Sequence, residues 1–242
     1  MTHSARNGFL YALERANGQP LLAKPYMEEI NWTKGIDQKT GLPLDYDPTK
    51  DIQVYSGRQN QTLTDPTKKL CPSVEGGNNY WSASYSQRTR LIYIPSRPTC
   101  SETTITPDRL RNPTGLMLGG AARYLARTES EIVVADPFTG EVKNRVRSSY
   151  PNFSAALTTA GGLLFTGLGD GTFVAYDDMS LEPLWKINVG VGINAPPMTF
   201  EAGGRQYLAI MTGLSLVSKL RITLTPELRD IRNQTMLFVF AL

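Results

Sequence analysis

Apolar residues along this chain come in short runs rich in Val, Ile, Phe, Tyr and Thr, each bounded by Gly, Asn, Asp or Pro. Examples are GFLYAL (8–13), RLIYIP (90–95), EIVVAD (131–136), GLLFTG (162–167), TFVAYD (172–177), QYLAIMTG (206–213) and MLFVFAL (236–242). Runs of this length and composition between turn formers predict strands joined by tight connections. Helical periodicity is scarce. PDRLRNPTG (107–115) and LTPELRDIRN (224–233) could hold a turn or two, but prolines interrupt both.

The strands repeat. Ala12-Leu13-Glu14-Arg15-Ala16-Asn17-Gly18 resembles Val134-Ala135-Asp136-Pro137-Phe138-Thr139-Gly140, and Ala175-Tyr176-Asp177-Asp178-Met179-Ser180-Leu181 is a weaker copy followed by Leu184-Trp185-Lys186. The acids fall at 14, 136 and 177, so the later gap is 41 residues and the earlier one 122, close to three periods. A period of about 40 to 45 residues fits one four-stranded β-propeller blade. An acid followed by glycine suits a tight turn, which assigns Glu14, Asp136, Asp177 and Trp185 to the fold and not to a site. We expect an all-β chain, a single partial β-propeller domain over residues 1–242 with insertions near 28–70 and 96–128. About four blades remain, either a small ring or part of a larger one.

Composition narrows the chemistry. The chain is 40% hydrophobic and 19% charged, which excludes a disordered polymer. Its net charge of +3 is too small to announce a nucleic-acid partner or an anionic membrane. One histidine, His3, leaves almost no material for triads, histidine zinc sites or imidazole acid–base catalysis. MTHSARNGFLYAL lacks the apolar core of a secretory leader, and MLFVFAL is far short of the ~20 residues of a membrane-spanning helix.

An ordered set of motifs carries a resemblance. It runs from Arg6-Asn7-Gly8-Phe9-Leu10-Tyr11-Ala12-Leu13-Glu14-Arg15 through Leu22-Ala23-Lys24-Pro25-Tyr26, Asn31-Trp32 and Gly35-Ile36-Asp37 with Thr40-Gly41-Leu42-Pro43. It continues with Cys71-Pro72-Ser73 and Gly76-Gly77-Asn78-Asn79, then Thr158-Thr159-Ala160-Gly161-Gly162-Leu163-Leu164-Phe165-Thr166-Gly167 and Asp170-Gly171. Pro196-Pro197-Met198-Thr199, Gln206-Tyr207-Leu208-Ala209 and Met236-Leu237-Phe238-Val239-Phe240 close it. Together these resemble the C-terminal portion of pyrroloquinoline-quinone (PQQ) dependent alcohol dehydrogenases, the eight-bladed quinoproteins that include methanol and ethanol dehydrogenases. Thr225-Pro226-Glu227-Leu228-Arg229 with Asn233-Gln234-Thr235 is closer to branches acting on bulkier alcohols.

The resemblance implies a cofactor pocket shared among blades, with PQQ bound to calcium or a lanthanide. Asn79 matches a cofactor-contacting Asn, with Asn78 next if the register slips by one and a turn-stabilising Asn as the alternative. Phe153 stands where many members place a Trp, and Gly213 and Leu214 stand at a third contact whose Trp is missing. Cys71 and Cys100 match a family cysteine pair. An even count without CxxC spacing favours a disulfide over zinc, with two unpaired core thiols as the alternative. The disulfide and the family imply the periplasm, although the missing leader argues against export of the chain as it stands. The family's metal ligands, catalytic Asp, carbonyl-polarising Arg and vicinal disulfide lie N-terminal to the matched region. We therefore expect no catalytic residue in residues 1–242 and near inactivity alone. The expected partners are a chain encoding the N-terminal half, or a second copy, with cytochrome c as the family's electron acceptor. The competing reading is a non-catalytic propeller scaffold that binds protein partners on its loops, as outer-membrane assembly lipoproteins with similar repeats do.

Overall fold

The computed structural model describes residues 1–51, 53, 55, 61, 64–105, 120–125, 129–214, 225–228 and 234–241. They fall into two compact units, Met1–Gly77 with Pro98–Arg127, and Asn78–Arg97 with Thr128–Leu242.

In the first unit β1 (Thr2–Ser4), β2 (Phe9–Leu13) and β3 (Pro20–Pro25) form an antiparallel sheet in chain order. Alternation along β2 and β3 sends Phe9 and Ala23 to one face, where they pack with Ile36, Tyr11, Ile30 and Trp32. The Trp32 indole N–H donates to the Asn7 carbonyl at 2.8 Å and its ring meets Phe9 edge-on at 6.2 Å. A second sheet, in the order β4 (Thr67–Leu70), β7 (Ser101–Ile105), β8 (Gly120–Tyr124), lies within the stretches 28–70 and 96–128. Cys71 follows β4, Cys100 precedes β7, and the two are joined in a disulfide with their Cα atoms 4.5 Å apart.

The second unit stacks three antiparallel sheets. The first has the order β10 (Val142–Ser148), β9 (Ser130–Ala135), β6 (Ile92–Ser96), β5 (Ser84–Tyr85). Its two central strands, β6 and β9, are buried along their whole length, as a strand covered on both faces must be. The next sheet runs in chain order through β11 (Leu157–Thr158), β12 (Leu163–Gly167), β13 (Thr172–Asp177) and β14 (Pro183–Asn188). The last is β15 (Met198–Ala202), β16 (Arg205–Met211) and β17 (Leu237–Ala241). Leu164 on β12 points into a cluster with Tyr93, Ile132, Val134, Ala156 and Leu181, which joins the first two sheets. Its neighbour Phe165 points the other way, to Phe173, Ile193, Leu208 and Ile210, which joins the last two. One strand thus serves two interfaces through its period of two. The four sheets other than β4–β7–β8 carry the blade-like hairpins expected from the repeat.

The repeat itself is a turn. In each copy the N–H of the fifth residue donates to the carbonyl of the first: Gly18 to Glu14 at 2.8 Å, Gly140 to Asp136 at 2.8 Å and Leu181 to Asp177 at 3.0 Å. The fifth residue has a positive φ of 74°, 73° and 63° respectively. The Asp136 carboxylate accepts from the Phe138 and Thr139 N–H groups, and Asp177 from Met179 and Ser180. The structure adds two copies, Asp37–Gly41 and Ser86–Arg90, with φ of 71° at Gly41 and 60° at Arg90. The turns recur, but not at an even spacing of 41. Of the helical turns considered, Pro226–Leu228 is a 3-10 turn, while 107–115 and 229–233 lie outside the described residues.

Candidate functional site

Two glycines lead into the Asn pair for a steric reason. Gly76 has φ +83°, and a Cβ there would lie 2.4 Å from the Arg6 carbonyl oxygen. Asn78 then turns inward. Its Nδ2 donates to the Trp81 carbonyl at 2.9 Å and to the Pro95 carbonyl at 2.8 Å, so both carboxamide protons are spent on buried backbone bonds. Asn79 is half-buried and Tyr80 exposed, the Tyr80 hydroxyl donating to Asn194 Oδ1 at 3.0 Å. Of two adjacent residues with the same chemistry, Asn78 is committed to the fold.

Trp81, Phe153, Leu214 and Leu228 form one buried cluster, with Tyr150 against it. Trp81 meets Phe153 edge-on at 6.3 Å and donates its indole N–H to the Pro95 carbonyl at 3.0 Å. Phe153 is locked by its neighbours in sequence. The Asn152 carboxamide accepts from the Ser154 N–H and donates to Thr166, and the Ser154 hydroxyl donates to the Ala195 carbonyl at 2.7 Å. Gly213, next to Leu214, has φ +118° and donates its N–H to the Gly192 carbonyl at 2.8 Å. Three segments far apart in sequence, around Asn79, Phe153 and Gly213–Leu214, therefore meet at Trp81 and Phe153.

Two residues of this cluster escaped sequence reasoning. Trp81 follows Asn79 by two positions, and an isolated Trp in a polar loop gave no signal. Arg97 is fully buried, with its guanidinium carbon 5.4 Å from the centre of the Phe153 ring. A charge directly after an apolar strand reads as a solvated end, so its burial was not legible. Asn79 and Gly213 keep partial exposure and polar groups, and Phe153 with Leu214 gives a buried apolar support. The Phe153 ring itself is enclosed, so direct stacking of a cofactor on it does not fit.

Among the described residues, one group of potential metal-binding side chains lies close together, Glu29 with Cys71 and Cys100. Its sulfurs are tied up in the disulfide and offer no thiolate.

Residues 123–208 match the model described as PQQ, glucose/ethanol/alcohol dehydrogenase, β-propeller domain. Quinoprotein ethanol dehydrogenase of Pseudomonas aeruginosa is 34% identical over 214 residues, covering 87% of this chain and 34% of that protein. The chain is a homologue of quinoprotein alcohol dehydrogenases. Lupanine 17-hydroxylase [cytochrome c] from a Pseudomonas species is 32% identical over 216 residues, 89% of this chain and 30% of that protein. A europium-containing methanol dehydrogenase superposes with a TM-score of 0.84 at 25% identity, over 100% of this chain and 44% of that one. The quinohemoprotein alcohol dehydrogenase of Comamonas testosteroni, with a TM-score of 0.80 at 24% identity over 99% of this chain and 35% of its own, shares the fold. The chain thus shares the fold class of quinoprotein β-propellers. The chain spans about a third of the length of the curated quinoproteins it matches.

Proposed function

We propose that this chain forms part of a PQQ-dependent alcohol dehydrogenase that oxidises primary or bulkier alcohols to aldehydes or ketones. When bound, PQQ supplies the acceptor for two electrons and two protons from the alcohol, becoming the quinol. This chain contributes part of the pocket. The Asn79 carboxamide would donate its N–H to a quinone carbonyl oxygen, and its own oxygen would accept from the O–H of the reduced form, with the Gly213 backbone beside the apolar residues. Phe153 and Leu214 act as the dry support beneath, keeping water from the polar contacts and so strengthening them. No catalytic residue is assigned to the chain. Calcium or a lanthanide would be held by residues outside it, which also supply the base and the Lewis acid. Alone, it should be nearly inactive. The oxidising periplasm suits the disulfide between Cys71 and Cys100, and a cytochrome c is the electron acceptor in this reading.

The observation that carries this reading is the convergence of the Asn79, Phe153 and Gly213–Leu214 segments on one buried cluster in a homologue of quinoprotein dehydrogenases. The test is a PQQ titration of the purified chain with Ca²⁺, followed by quinone absorbance. Binding weakened at least tenfold by Asn79→Ala supports the assignment, and equal affinity of the two proteins removes it. Dye-linked oxidation of ethanol by the chain alone would overturn its proposed incompleteness.

A further inference from the structure

The disulfide between Cys71 and Cys100 has a carboxylate against it. Glu29 Oε2 lies 3.2 Å from Cys100 Sγ, while Oε1 accepts from the Lys69 ammonium at 2.5 Å. One carboxylate oxygen and the two sulfurs all fall within 4.8 Å of one another. A disulfide sulfur has no proton to donate, so the bond, while intact, gives this oxygen no donor. A thiol or a metal ion at the sulfurs gives it a good partner.

Backbone bonds that involve no sulfur hold the three residues together. Asn31 Oδ1 accepts from the Cys71 N–H at 2.8 Å, and the Asn31 N–H donates to the Cys71 carbonyl at 3.0 Å. The Asn31 Nδ2 also donates to the Lys69 carbonyl at 3.1 Å. This clamp fixes Glu29, two residues earlier, beside Cys71. Cys100 is fixed by its own neighbours. The Ser73 N–H donates to the Thr99 carbonyl at 2.9 Å, the Leu125 N–H to the Cys100 carbonyl at 3.0 Å, and Leu70 pairs with Ser101 between β4 and β7. Opening the disulfide therefore leaves the side chains close. With Cα atoms 4.5 Å apart, parallel cysteine side chains place their sulfurs near the separation of about 3.7 Å that two thiolates have on a tetrahedral zinc ion.

We propose that the reduced chain binds one Zn²⁺ through the Cys71 and Cys100 thiolates and the Glu29 carboxylate, with water in the fourth position. Zinc and the disulfide are then alternative cross-links of the same two segments. Reduction by a dithiol passes two electrons and two protons to the S–S bond, giving two thiols, while the dithiol closes to its own disulfide. Zn²⁺ displaces both thiol protons to solvent as it binds. Three anionic ligands on a dication leave one net negative charge, which the Lys69 ammonium at the other Glu29 oxygen offsets. Glu29 is exposed, which leaves the fourth position open to water. Two thiolates select a borderline metal such as zinc over Ca²⁺, which prefers oxygen ligands. The inference is independent of the dehydrogenase reading.

The test reduces the full chain with a phosphine, removes the phosphine by anaerobic gel filtration, and titrates Zn²⁺ against a chromophoric chelator. Co²⁺ in place of zinc reads the ligands, through its thiolate charge-transfer band and the intense visible bands of tetrahedral coordination. One equivalent of zinc is expected in the reduced chain, bound at least about a hundredfold more tightly than by the oxidised chain. Glu29→Gln should weaken binding about tenfold, whereas Glu28→Gln, at the exposed neighbouring position, should change it less than about twofold. Excess Ca²⁺ should not compete. Zinc should raise the melting temperature of the reduced chain and leave that of the oxidised chain unchanged. Where reduction unfolds the chain, zinc should restore its far-ultraviolet circular dichroism, because site and fold then form together. Equal zinc affinity of the two redox forms overturns the inference, as does an octahedral cobalt spectrum without a thiolate band. Equal effects of Glu28→Gln and Glu29→Gln, the behaviour of an unfolded dithiol, overturn it too, and so does a reduced chain whose fold zinc does not restore.

Discussion

Arg88 forms an ion pair with Asp178, a carboxylate without solvent exposure, and its Nε–H donates to Asp178 Oδ1 at 3.0 Å. The Ser86 hydroxyl donates to the other carboxylate oxygen at 2.8 Å, and the Tyr93 hydroxyl donates to the Asp178 carbonyl. Ser86, Arg88 and Tyr93 lie in or beside the turn between β5 and β6, and Asp178 lies in the turn between β13 and β14. The pair therefore ties the first sheet of the second unit to the next. It does so with polar groups, beside the apolar cluster around Leu164. Desolvation on burial also pushes the Tyr93 hydroxyl above its ordinary pKa.

Arg88→Met should lower stability, because the buried Asp178 carboxylate loses its charged partner and keeps the Ser86 donor. Partial exposure of Arg88 keeps the effect below that of a fully buried pair. Urea unfolding measures it. An unchanged urea midpoint would show that Asp178 is adequately solvated without its partner.

The repeated turns predict an acid limb of stability. Asp136 and Asp177 are held below the ordinary carboxylate pKa by backbone N–H donors, from Phe138 and from Ser180 foremost. Asp47 is lowered to about 2, chiefly by the Thr49 hydroxyl. A depressed carboxylate contributes stability that is complete above its unfolded pKa and is lost as pH falls through the folded value. Melting temperatures should therefore begin to fall below about pH 4. Asp136→Asn keeps the acceptor oxygen and should flatten that limb. NMR titration of Asp136 and Asp177 with midpoints at or above the unfolded value would contradict the turn assignment.

Reduction of the Cys71–Cys100 bond should destabilise the first unit. The bond closes a loop with a sequence separation of 29, which in the chain-entropy model corresponds to roughly 3 to 4 kcal/mol. Denaturant unfolding with and without a reductant, and of Cys71→Ser/Cys100→Ser, reads the difference. Protection lost in hydrogen exchange should be confined to Met1–Gly77 and Pro98–Arg127.

Phe153 and Asn79 should respond oppositely. Phe153 is fully enclosed by Trp81, Leu214 and Arg97, so Phe153→Ala leaves a cavity and should cost about 3 to 5 kcal/mol. Asn79 is only half-buried, so Asn79→Ala should change stability by less than about 1 kcal/mol while weakening PQQ binding. Thermal melts alongside the quinone titration separate the two effects. A large stability loss in Asn79→Ala would return Asn79 to a purely structural role.

What the sequence by itself determined is local. Strands at 163–167, 172–177 and 206–211 follow from apolar runs between turn formers, and the acid–glycine turns from side chains that bond their own backbone within three residues. The ordered motifs carried the quinoprotein resemblance for the same reason. The turn at Ser86–Arg90 was illegible, since a serine and a positive-φ arginine stand where acid and glycine stand elsewhere. Only tertiary structure decided which of Asn78 and Asn79 turns inward, because that depends on the Pro95 carbonyl 17 residues away. It alone enclosed Phe153 beneath a buried Arg97, and it alone placed β17 outermost in its sheet among the described residues. Burial and pairing are properties of contacts between distant segments, and no local pattern of residue types contains them.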